Sequence, residues 1–175
     1  MRGLSTEPKF IVPCLSVYSG IKVEQKKSIE GIGPARFYSP KPGLEEKGEP
    51  YIAIFNKNSQ TVYQIVEEKD YEATQRIMGL LSERFVIPEG EEPLFYIIFV
   101  LLHEAGHWYD YHNKRSWFNQ NATGEVSKTA EEYRQKPIEK SADRFALEHF
   151  ESAWNELNDR LFRGNMEPLK KQSEI

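Results

Sequence analysis

At 175 residues, with 39% hydrophobic and 13% aromatic side chains, the chain is long enough to bury one core of ordinary size. Its formal net charge of −4 and its scattered Lys and Arg residues give no basis for a nucleic-acid-binding stripe. The single cysteine, Cys14, excludes an intrachain disulfide and a cysteine-based zinc site. The stretch from Met1 to Pro8 lacks the apolar core of a signal peptide, so a cytoplasmic protein is expected.

Phe10 to Tyr18 is apolar and partly β-branched but interrupted by Pro13, and reads as an edge strand at best. Ile21 to Pro34 is polar, contains Gly31 and Gly33, and reads as a loop; Ala35 to Tyr38 suggests a short strand. Ser39 to Pro50, with three prolines and two glycines, is a connector. Tyr51–Phe55 and Thr61–Val66 carry the best strand patterns, and the five residues between them suit a hairpin loop.

From Asp70, a suitable N-cap, the period becomes helical. Tyr71, Thr74, Met78, Leu81 and Phe85 form an apolar stripe, with Glu72, Gln75, Arg76 and Glu83 largely away from it. Val86 to Pro93 ends this helix, and Pro93 suits the first turn of the next. Lys114 to Lys136 shows little periodicity over 23 residues, and reads either as the wall or lid of a cleft or as a surface loop. A last helix is expected from Pro137 to about Phe162, with residues 164–175 as a polar, flexible tail beyond a single domain spanning 1–163.

The chemistry concentrates between these helices. Nine apolar residues, Leu94 to Leu102, run directly into His103-Glu104-x-x-His107. The run predicts a buried helix, because it is apolar all round. It is also far shorter than the roughly 20 residues that cross a bilayer. Residues four apart lie about 40° apart on a helix, so the two imidazoles can meet one ion, with Glu104 beside them to work on a water. A catalytic zinc site requires a third protein ligand. Asn113 stands where a third histidine would complete one common pattern, and His112 is out of register. Glu139 and Asp143 head the apolar face Ala142, Ala146, Phe150, Ala153 and Leu157 of the last helix. Buried carboxylates need a partner. Glu139 is therefore the expected third ligand, with Asp110 the competing carboxylate. Asp143 is expected to hold the ring N–H of one histidine. The small residues Ala142 and Ala146 would allow the two helices to approach closely. Tyr133, Tyr109 and Arg144 are the residues available to stabilise an oxyanion, and Tyr133, on the proposed lid, is favoured.

His103-Glu-x-x-His107 followed by Glu139-x-x-x-Asp143 resembles the gluzincin arrangement. More narrowly, Tyr133-Arg-x-x-Pro137-Ile-Glu139-x-x-Ala142-Asp143-x-Phe145-Ala146 is similar to the second motif of the ImmA/IrrE-like zinc metallopeptidases. The similarity covers about Leu94 to Phe150. It implies an α+β, zincin-like fold, in which a small, mostly antiparallel N-terminal sheet packs on a helical half carrying both motifs. It also implies a cytoplasmic Zn²⁺-dependent endopeptidase of bacteria or their mobile elements, acting on a protein substrate such as a helix-turn-helix repressor, without contacting nucleic acid or membrane itself. The alternative is a zinc-binding regulatory module whose His-Glu-x-x-His site is catalytically idle.

Overall fold

The computed structural model describes residues 7–27, 34–40, 48–55, 71–122 and 129–174. Helix α1 (Pro8–Ile11) leads into two 3₁₀ turns, Val12–Cys14 and Ser16–Tyr18. The edge strand expected over Phe10–Tyr18 is therefore absent. Ile11, Val12, Leu15 and Tyr18 are all buried, and their spacing is that of a helical face, not an alternating strand. Pro13, which would break a strand ladder, instead fits the start of a 3₁₀ turn.

Three short strands follow: β1 (Val23–Lys26), β2 (Ala35–Tyr38) and β3 (Tyr51–Phe55). Their order is β1-β3-β2, with β1 parallel to β3 (Val23 opposite Ile52) and β2 antiparallel to it (Phe37 opposite Ile52). The fold is α+β with a mixed sheet, rather than the mostly antiparallel one expected. β1 lies within the stretch read as loop. It is too polar, Val-Glu-Gln-Lys, to signal a strand, and forms by pairing along β3. β3, by contrast, is buried from Ile52 to Phe55, and its continuous apolar run is what a central strand needs. The proposed Thr61–Val66 strand and its hairpin, and the Asp70 cap, lie outside the described residues.

Helix α2 (Tyr71–Ser82) buries Ile77 and Leu81, so its inward face is rotated from the predicted stripe, and Arg76 turns towards the interior. The long helix α3 (Glu92–Asn113) has Pro93 in its first turn and buries every side chain from Leu94 to Phe99. The segment expected to lack structure contains two helices, α4 (Arg115–Ala122) and α5 (Ala130–Arg134). Phe118 anchors α4 in a cluster with Tyr111, Ile138 and Phe37. The Thr129 hydroxyl caps α5 by accepting the Glu132 N–H at 3.1 Å. Helix α6 (Pro137–Arg160) packs along α3 and buries Ala142, Ala146, Phe150, Ala153 and Leu157, as its pattern predicts.

The expected loose tail is tied down. Met166 is buried, the Trp154 indole donates to Glu167 O at 3.1 Å, and Val86 N–H donates to Lys170 O at 2.8 Å. Polarity alone missed this because the segment is held by main-chain groups and one apolar anchor. Among the described residues, no helix is long and apolar enough to cross a membrane.

Candidate metal centre

The site lies where α3 and α6 touch. Their approach is set by Gly106, between the two histidines. A Cβ built there would meet Ala142 Cα and Phe145 Cβ at 3.0 Å and Ala142 O at 3.3 Å. Any larger residue would hold the helices apart. The small residues expected on α6 are thus matched by a glycine on α3, where a glycine inside a helical pattern is itself a cue to close contact.

At this crossing His103, His107 and Glu139, all buried, bring one donor atom each within 4.8 Å of one another. His103 Nε2 lies 3.3 Å from Glu139 Oε2, and His107 Nε2 lies 3.4 Å from Glu139 Oε1. These distances are longer than a good hydrogen bond. They match the roughly 3.3 Å separating two ligands that each sit about 2.0–2.1 Å from a tetrahedral ion. Glu139 Oε1 is buried and accepts no hydrogen bond among the described residues. Two imidazoles, one carboxylate and a buried oxygen without a donor are a donor set suited to a divalent metal such as zinc.

On the far side of the ring, His103 Nδ1 lies 2.9 Å from Asp143 Oδ1. With Asp143 accepting, a hydrogen sits on Nδ1, and Nε2 faces Glu139 and His107, where it would present its lone pair to a metal once the ring is neutral. Asp143 in turn forms an ion pair with Arg76 of α2. Electrostatics follow this geometry. Burial opposes a charge on His103, but the Asp143 and Glu139 carboxylates outweigh it and raise the metal-free ring to about 10. Burial likewise opposes the charge on Glu139 and on Asp143. The imidazoles nevertheless hold Glu139 far below the usual carboxylate range, while His103 and Arg76 lower Asp143.

Glu104 lies outside the donor cluster, and its Oε2 accepts the backbone N–H of Phe37 at 2.6 Å. Strand β2 thus orients this carboxylate, and its Phe37 ring stands 6.4 Å from the His107 ring. Nothing in the sequence tied Phe37 or Arg76 to the site, since each is 67 residues from its partner. Tyr133 is half exposed. Its phenol pKa is raised, first by desolvation and then by the charge of Glu139, with Glu104 adding to it, so the hydroxyl keeps its proton beside both carboxylates. Tyr109 is committed elsewhere, donating to Val17 O at 3.1 Å, and Arg144 is exposed. His112 donates to Trp108 O at 3.0 Å, and Asp110 pairs with Lys114 at 3.0 Å; neither joins the cluster.

Comparison of the chain with protein-family models, with curated proteins and with solved structures returned no match. The functional reading rests on the site.

Proposed function

We propose that the protein is a cytoplasmic zinc-dependent endopeptidase that hydrolyses a peptide bond in a protein substrate. The observation that carries this reading is the convergence of His103, His107 and Glu139 donor atoms beside a carboxylate, Glu104, that does not ligate. Zinc held by those three residues would supply Lewis acidity, bringing the pKa of a water towards 7. Glu104, anchored through Oε2, keeps its other oxygen to accept the proton of the attacking water and return it to the leaving amine. Tyr133, with its proton retained, is the donor suited to a developing oxyanion. Asp143 keeps His103 in one tautomer throughout.

Among the described residues β3 is the central strand, paired on both sides, and so offers no free edge to a substrate. Among the described residues β2 is the sheet edge beside Glu104, and main-chain pairing there fits an extended peptide. The resemblance in the motifs makes a helix-turn-helix repressor encoded nearby the first substrate to test.

The test compares wild type with Glu104→Gln. Metal analysis of both should give one zinc per chain. Mass spectrometry of co-expressed neighbouring gene products should give a cleavage product with wild type only. Full zinc occupancy with no cleavage by either, and an intact cellular role for the variant, would support the idle zinc-binding module instead. Absence of zinc from the purified wild type would remove both readings.

A further inference from the structure

We propose that Arg76 is a positioning residue for the metal centre: by gripping both oxygens of Asp143, it aims the carboxylate at His103 and so sets how tightly the site holds its metal. This rests on the metal-site reading above.

The geometry is a relay across three helices. Arg76 extends from α2, Asp143 from α6 and His103 from α3. The guanidinium engages Asp143 Oδ2 through one terminal nitrogen and approaches Oδ1 at 3.3 Å through the other. Oδ1 also accepts His103 Nδ1–H at 2.9 Å. A planar fork of this kind removes the rotational freedom of the carboxylate, which a single point charge would leave. It also offsets part of the negative charge of a site that gathers Glu104, Glu139 and Asp143 around His103 and His107.

Without Arg76, Asp143 would be a buried carboxylate with one partner, free to rotate towards water and leave His103 Nδ1 unheld. The His103 ring would then sample orientations in which Nε2 no longer faces Glu139. Partners that orient a ligating histidine typically change metal affinity by about 10–100-fold when removed.

The experiment measures zinc affinity by chelator competition in wild type, Arg76→Met, Arg76→Lys, Asp143→Ala and the Arg76→Met/Asp143→Ala double variant. It adds ¹H–¹⁵N spectra of the imidazoles in the metal-free proteins. Arg76→Met should weaken zinc binding about 10–100-fold, and Arg76→Lys, with charge but no fork, should recover only part of it. In the Asp143→Ala background the Arg76→Met change should have no further effect beyond about twofold, since the two side chains act as one unit. The His103 Nδ1–H resonance, sheltered in wild type, should broaden through exchange with water in Arg76→Met. An equal loss of affinity with and without Asp143, or an unchanged Nδ1–H resonance, would overturn the proposal, because a structural role in holding α2 predicts those results. A wild type that binds no zinc would instead sink the metal-site reading.

Discussion

Replacing Gly106 by alanine gives the sharpest test of how the site is built. On an unencumbered helix this change favours folding by about 0.5–1 kcal/mol, because glycine loses more backbone entropy. Gly79, exposed on α2 with nothing within 4 Å of an added Cβ, is the matching control. At Gly106 the new methyl would sit 3.0 Å from Ala142 Cα and Phe145 Cβ, where carbon atoms prefer about 3.5–4.0 Å. Both obstacles are backbone or the root of a side chain, so no rotamer change relieves them, and α6 must retreat by about 0.5 Å. Overpacking of this sort costs about 1–3 kcal/mol, which the propensity gain only partly offsets. Glu139 lies one turn before Ala142 on the helix that moves, so its carboxylate is drawn away from both imidazoles. Urea unfolding of the metal-free variants should show Gly79→Ala more stable than wild type and Gly106→Ala less stable by about 1 kcal/mol. Chelator competition should show zinc affinity reduced about tenfold in Gly106→Ala alone, or about 1.4 kcal/mol. A Gly106→Ala protein as stabilised as Gly79→Ala, with unchanged zinc affinity, would refute the account of the helix contact.

Glu104→Gln should leave zinc content intact while lowering turnover about 10²–10⁴-fold, measured on whichever substrate the wild type cleaves. Tyr133→Phe should lower kcat about 10²–10³-fold with little change in zinc affinity, since Tyr133 is not among the three residues whose donor atoms converge. The metal-free protein should also show a defined pH dependence. His103 is raised from 6.5 to about 10, so its contribution to stability is complete below pH 6.5 and disappears as pH rises through about 10. Glu139 and Asp143 are lowered from 4.5 and 3.8, so their contributions are present above those values and are lost as pH falls. Thermal melts of chelator-treated protein should therefore be highest between about pH 5 and 6.5 and decline on the alkaline side. Zinc, which replaces the His103 proton, should lift the alkaline side most. A melting temperature that rises steadily to about pH 10 without metal would contradict these assignments.

The amino-acid sequence by itself was enough for the parts of this protein governed by short-range periodicity. The all-round apolar run before His103 specified a buried helix, and four-residue spacing specified that His103 and His107 share one face, as do Glu139 and Asp143. The apolar face of α6 named the surface on which those carboxylates are found. Composition could not reveal β1, whose polar residues become a strand only because β3 offers a ladder to pair with. Nor could β-branched content at the N-terminus outweigh the helical spacing of Ile11, Leu15 and Tyr18. Tertiary structure alone decided which distant groups meet the candidate site. Arg76 meets Asp143, and the Phe37 amide meets Glu104, each across 67 residues of chain. Neither contact has a local pattern, because a hydrogen bond between distant segments depends on where the intervening elements pack, and no window of the sequence contains both partners.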